Sequence, residues 1–267
     1  RMAKVFTGTT LTREYRFNAL GQRVAKIHPT TATSTVFYVY DEAGKLLGEY
    51  KPDGTLIREY LWIDDTLVAA RGSHAGQTFQ YVLTDHLNTP RAVVLPSTNA
   101  IVWRWDITAS AFGDHAAQNN PDGDTATYTF NLRYPGQYFD AETGLHYNYF
   151  RDYEPGTGRY VQSDPIGLGG GASTFGYVSG SPLSGTDPFG LFDATAGYGC
   201  PNGACGFRYQ FNFQSSMAEV RADRSMSTIR SRAAGALGVV AKALELSQSQ
   251  VEGSIAASPA GMADLFL

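Results

Sequence analysis

The chain has 267 residues and a formal charge of −4, from 21 Lys and Arg against 25 Asp and Glu. No 18-residue apolar span and no signal-type apolar run at its start can be found, and no basic cluster is dense enough to track a phosphate backbone, so no nucleic-acid contact is evident. Gly (29), Tyr (16) and Phe (15) are abundant, a composition suited to short strands joined by tight turns, and the chain, opening on Arg1, reads as a piece of something longer.

The first elements are repeats. "FNALGQRV" (Phe17 to Val24) aligns with "YDEAGKLL" (Tyr40 to Leu47): aromatic, Asn or Asp, two residues, Gly, polar, any residue, aliphatic. Gly21 and Gly44 hold the same place in the two copies, and "KPDGTLI" is a degenerate third. In each unit the aromatic ends a strand, and Asn or Asp with Gly supplies the left-handed positions of a hairpin turn. The next strand then departs with alternating apolar residues, as in "TLIREYLWI". The stretch "YVLTDHLNTPRAVVLPSTNAIVWRWDITASAFG" reads as strand, turn, strand, turn, strand. "GDHAAQNNPDGDT", Gly113 to Thr125, reads as a surface loop.

A second repeat pairs "FDAETGLHY" (Phe139 to Tyr147) with "YEPGTGRYV" (Tyr153 to Val161), placing Asp140 opposite Glu154 and Gly144 opposite Gly158. A third pair is shorter. "DPIGL" (Asp164 to Leu168) returns as "DPFGL" (Asp187 to Leu191), at the same interval that separates Gly21 from Gly44. Such a hairpin array cannot bury its apolar face alone, so neighbouring units must stack or curl round.

After Leu191 the composition changes. Residues 192 to about 213 are rich in Gly and aromatics, and from Ser215 the chain reads helical, with Ser216 and Glu219 as a capping box. That helix could pack against protein or lie on a membrane; its apolar stripe is interrupted, which favours packing. Cys200 and Cys205 could close a small disulfide loop or stay as thiols. The five histidines, His28, His74, His86, His115 and His146, all precede the tail and none is spaced as a metal ligand, so neither metal nor cofactor is expected. The absence of His from the tail argues against a histidine-dependent nuclease there.

"YVYDEAGKLLGEY" resembles the YD repeat, and the stretch from "NLRYPGQYFDAETGLHYNYFRDYEPGTGRYVQSDPIGL" to "SGSPLSGTDPFGL" resembles the core-associated region that closes RHS-repeat proteins. The resemblance covers the chain from its start to about Leu191. It implies a mainly β fold, in which an antiparallel repeat sheet curls into the end of a shell and its plug, followed by a small, mainly helical tail. It divides the chain into a repeat sheet (1–135), a self-cleaving plug (136–191) and a variable toxin cargo (192–267). It implies a cut between Leu191 and Phe192, and a toxin secreted or delivered out of a bacterial cell. Expected partners are the chain's own C-terminal segment as tethered substrate, an immunity protein and a secretion-system component. Two features depart from the family pattern: Gly180-Ser181-Pro182 stands where Asn-Asn-Pro is common, and the stretch from Phe192 to Leu267 is short for a cargo.

The chemistry expected of such a plug is aspartyl proteolysis. Two carboxyls share the work: one, ionised, activates water, and the other, protonated, polarises the carbonyl. Asp164 and Asp187 are the candidates, each followed by a stiffening proline, Pro165 and Pro188. Gly167 and Gly190 supply turn freedom, and Gly190 presents the Leu191 carbonyl. Arg159, where the family pattern also has Arg, either orients a carboxylate or makes a structural ion pair. The alternative is a non-enzymatic secreted or cell-surface scaffold or binding module, in which both Asp-Pro-x-Gly phrases are only turns.

Overall fold

A computed structural model describes residues 1–108 and 110–193. The helix expected from Ser215 and the Cys200–Cys205 loop lie outside the described residues. Within them the protein is mainly antiparallel β. The helical content is three short 3-10 turns, Ala32–Ser34, Gly167–Gly170 and Val178–Gly180.

Ten strands form one sheet in sequence order: β1 (Lys4–Thr7), β2 (Thr10–Phe17), β3 (Arg23–Ile27), β4 (Val36–Tyr40), β5 (Leu46–Tyr50), β6 (Leu56–Ile63), β7 (Thr66–His74), β8 (Gln77–Thr84), β9 (Pro90–Val94) and β10 (Ile101–Arg104). The repeat turns share one geometry. The amide of Gly21 donates to Asn18 O, that of Gly44 to Asp41 O and that of Gly54 to Lys51 O. All three glycines sit at φ between +81° and +86°, where a Cβ would be strained. Each turn follows a register shift in the strand before it, at Phe17, Tyr40 and Tyr50. Such a bulge twists the strand and re-aims the residues beyond it. A fourth turn of the same form, Asp85 to Thr89, puts Asn88 at φ +63° in place of glycine. Asp85 Oδ1 accepts from the amides of Leu87 and Thr89 and holds this turn closed.

Four further strands form a second sheet, again in order: β11 (Tyr138–Asp140), β12 (Leu145–Asn148), β13 (Arg151–Glu154) and β14 (Arg159–Tyr160). Its two outer hairpins are the aligned pair of the second repeat. Gly144 and Gly158 close them at φ +71° and +66°.

One apolar cluster joins the two sheets. Tyr38, Tyr60, Leu67, Val93 and Trp103 of the first meet Tyr138, Tyr147, Tyr153 and Tyr160 of the second. Between them, residues 105–137 hold no strand, yet Trp105, Tyr128, Phe130 and Tyr134 are buried there. The middle of that segment, from Gly113 to Thr125, is largely exposed, as a surface loop should be. Polar contacts also tie the sheets. Arg23 pairs with Asp140 at 2.5 Å, inside four tyrosine rings. Lys26 reaches Asp140 at 2.7 Å and Glu142 at 3.1 Å.

His146 is buried in this core, its Nδ1 2.7 Å from Gln137 Oε1. Burial first, and the nearby Arg133 guanidinium second, hold its pKa well below 6.5. Below that pH the unfolded chain takes a proton that the folded chain refuses, so stability falls as pH drops. Urea denaturation at pH 7 and pH 5 should show this slope, up to about 1.4 kcal/mol per pH unit. A His146→Gln variant should show a flatter one.

Candidate active site

The turn between β12 and β13 has two residues. Asn148 pairs with Arg151 across it, and Tyr149 takes φ +50°. Opposite residues of an antiparallel pair face the same way, so Asn148 and Arg151 share a face. Tyr153, two residues on from Arg151, keeps that face, and Tyr160 pairs with Tyr153. Strand parity thus gathers Asn148, Arg151 and Tyr160 on one side. The same parity sends Arg159, the neighbour of Tyr160, to the other, and Arg159 is exposed. The guanidinium between the two aspartates is that of Arg151.

Arg151 is almost wholly buried and every arm is used. Nη2 lies 3.0 Å from Asp164 Oδ2 and 3.2 Å from Asp187 Oδ2. Nε donates to Gly190 O at 2.5 Å and Nη1 to Thr174 O at 3.2 Å. The guanidinium carbon stands 3.6 Å from the centre of the Tyr160 ring, a cation–π contact. The Tyr160 hydroxyl donates to Asp187 Oδ2 at 2.8 Å and accepts from Asn148 Nδ2 at 2.7 Å. Asn148 Nδ2 also donates to Asp187 O at 2.9 Å.

Both Asp-Pro-x-Gly-Leu phrases are turns, but they are not equivalent. In the first, Asp164 Oδ1 accepts from the Ile166 amide at 2.9 Å, and Gly167 sits at φ +62°. In the second, Asp187 Oδ1 reaches further along the chain. It accepts from the amides of Leu191 at 2.9 Å and Phe192 at 3.2 Å. Gly190, at φ +68°, is packed so that a Cβ would press on Asn148 O and the Arg151 amide. Pro165 is exposed, whereas the Pro188 backbone is pressed against Gly136.

Asp187 thus holds the Leu191–Phe192 segment directly, while Asp164 is held by Arg151 and the Ile166 amide. Asp187 accepts two donors on each oxygen, the pattern of an acceptor-only carboxylate. Asp164 Oδ2 and the Leu191 carbonyl oxygen border the same space: a Cβ built on Gly170 would lie 2.4 Å from the first and 2.3 Å from the second. Burial pushes the pKa of Asp164 above the usual range, against the Ile166 amide and Arg151. Burial also raises that of Asp187, against the Leu191 amide, the Tyr160 hydroxyl and Arg151. Leu191 is half-buried and Phe192 exposed. No group of three or more His, Cys, Asp or Glu among the described residues could hold a metal.

Sequence reading named Asp164, Asp187, Leu191, Phe192, Gly167 and Gly190 and missed Arg151, Tyr160, Asn148 and Gly170. The signal for Arg151 was there. In "YNYFRDY" Arg151 stands two residues before Tyr153 and so shares its strand face, and an arginine on a buried face needs anionic partners.

No protein-family model matches the chain. "Probable deoxyribonuclease RhsA" of Dickeya dadantii (strain 3937) is 34% identical over 184 residues, 66% of this chain and 12% of that protein. "Probable deoxyribonuclease RhsB" of the same strain is 33% identical over 190 residues, 68% and 12%. "Toxin protein Tse5" of Pseudomonas aeruginosa is 37% identical over 108 residues, 40% and 8%. A crystal structure of TcdB2-TccC3-Cdc42 aligns at 21% identity and a TM-score of 0.49, over 71% of this chain and 9% of that one. The chain thus spans about an eighth of the length of the first two relatives. With its repeated Asp/Asn-x-x-Gly turns, its paired Asp-Pro-x-Gly-Leu phrases and these relatives, the chain belongs to the RHS-repeat family.

Proposed function

We propose that residues 136–191 cut their own chain once, between Leu191 and Phe192, and so detach a C-terminal toxin segment beginning at Phe192. One observation carries this reading. Asp164 Oδ2 and the Leu191 carbonyl oxygen border one space at Gly170, while Asp187 holds the amide nitrogen of the same peptide bond. Asp164, protonated, hydrogen-bonds the carbonyl oxygen. Asp187, ionised, exchanges its hydrogen bond from the Phe192 amide for one from the attacking water, takes a proton from that water and passes it to the Phe192 nitrogen. The Leu191–Phe192 C–N bond breaks, leaving a carboxylate on Leu191 and an amine on Phe192. Arg151 offsets the negative charge that develops, and tethering supplies the proximity. Arg159 has no part in these steps.

The tail's activity and target follow the cargo role and are not specified by the repeat region. Delivery out of a bacterial cell, an immunity protein and a secretion-system partner accompany this reading through the likeness to RHS toxins.

Intact mass of the purified protein tests it. Wild type should give two species meeting at Leu191 and Phe192, and Asp164→Asn and Asp187→Asn should each give one full-length species. An uncut wild-type chain, or aspartate variants that cut normally, would sink the reading, and the former would favour the scaffold alternative. Refolding from urea across pH should show a bell. The rate falls on the alkaline side once Asp164 loses its proton, and burial raises the pKa of both carboxyls, moving both limbs upward. It falls on the acid side when Asp187 is protonated, with apparent values belonging to the pair.

A further inference from the structure

We infer that Gly170 is a positioning residue for this cleavage, its missing side chain being what lets the Asp164 carboxyl and the Leu191 carbonyl share one space. The inference rests on the reaction proposed above. Gly170 ends the short 3-10 turn Gly167–Gly170, in the loop that runs from Asp164 to Thr174. Both ends of that loop are tied to one atom. Thr174 O accepts from the Asp164 amide at 2.8 Å and from Arg151 Nη1 at 3.2 Å. The loop is thereby drawn down over the two aspartates.

Neighbouring glycines need their freedom of backbone, because Gly167 and Gly171 sit at φ +62° and +145°. Gly170 does not, since its φ lies outside the left-handed range. An alanine there would suit the turn and the unfolded chain better than glycine does. Space is the remaining reason. A Cβ on Gly170 would overlap Leu191 O and Asp164 Oδ2 and crowd Asp164 Cγ. Neither neighbour yields readily. The carbonyl belongs to a backbone whose Leu191 and Phe192 amides are held by Asp187, and the carboxyl is held by Arg151 and the Ile166 amide. An added methyl must push the scissile carbonyl away from its acid. A displacement of about 1 Å in a reacting geometry can cost about 100-fold in rate.

The test is a time course of intact mass during refolding, for wild type, Gly170→Ala and Leu168→Ala. Leu168 lies in the same turn but is exposed, and serves as the control. Gly170→Ala should cut about 100-fold more slowly than wild type. Its residual rate should lack the alkaline fall that Asp164 gives wild type. Leu168→Ala should cut as wild type does. In the uncut Asp164→Asn background, Gly170→Ala should still melt cooperatively, with a midpoint lowered from the parent's by the crowding. Normal cutting by Gly170→Ala, with cutting still lost in Asp164→Asn, would overturn the inference and leave the reaction standing. Normal cutting by Asp164→Asn would remove both. Should Gly170→Ala not fold, a crystal structure of the uncut Asp164→Asn chain decides. Gly170 packed on the Leu191 carbonyl supports the inference, and a loop standing clear of it refutes it.

Discussion

Arg151→Met is expected to abolish cleavage and to cost about 3–5 kcal/mol of stability, the range for removing one partner of a buried ion pair. The change leaves Asp164 and Asp187 facing each other with no cation between them, and strips donors from Gly190 O and Thr174 O. Methionine fills much of the volume, so the loss reports charge and hydrogen bonding rather than a cavity. Arg151→Lys should recover part of the stability but not the cut. An ammonium is a point donor and cannot serve four acceptors from one plane above the Tyr160 ring. Urea denaturation of the uncut Arg151→Met and Arg151→Lys chains, compared with Asp164 and Asp187 both in place, measures the first effect, and intact mass measures the second. A lysine variant that cuts like wild type would show that charge alone suffices.

Asp140→Asn is expected to destabilise by a similar amount, about 3–5 kcal/mol, without touching the cleavage site. Asp140 begins the turn after β11 and pairs with Arg23 of β3 across the joint between the sheets. Arg23 is fully buried, and four tyrosine faces around it offset only part of a bare charge. Lys26→Met should cost far less, because Arg23 still neutralises Asp140. The two urea curves, compared in the same uncut background, separate the buried partner from the peripheral one. Equal losses would mean that Lys26, not Arg23, carries the joint.

Much of this architecture was legible because left-handed turn positions demand particular residues. Gly21, Gly44 and Gly54 mark turns whatever surrounds them, and the aligned Gly144 and Gly158 mark the second sheet. The turn at Asp85 was readable as a turn but not as a repeat copy, because Asn88 fills the left-handed position through its own polar side chain. Residues 105–137 were harder. Their aromatics are buried against the two sheets, and "TYTFNLRY" alternates apolar Tyr128, Phe130, Leu132 and Tyr134 with polar residues as a strand would, yet no strand forms there. In the site, the acids were visible through their repeated phrase. The arginine was misassigned because two are available, Arg151 and Arg159, and only strand parity tells which faces the aspartates. Gly170 was hidden in the run from Gly167 to Gly171, in which Gly167 and Gly171 have a left-handed backbone as their reason to be glycine.

The sequence-ordered sheet also sets a clock. Every strand of the ten pairs with the strand made just before or after it, so the sheet can grow while the chain is still being synthesised. The reactive cluster cannot. It draws on positions 148, 151, 160, 164, 170 and 187, the latest-made part of the described chain, and its second sheet closes only against strands already in place. At roughly 5–20 residues per second, the repeat sheet precedes the last aspartate by several seconds at least. A chain stopped short of Asp187 would hold a folded sheet and an arginine with one acid, and no competent blade.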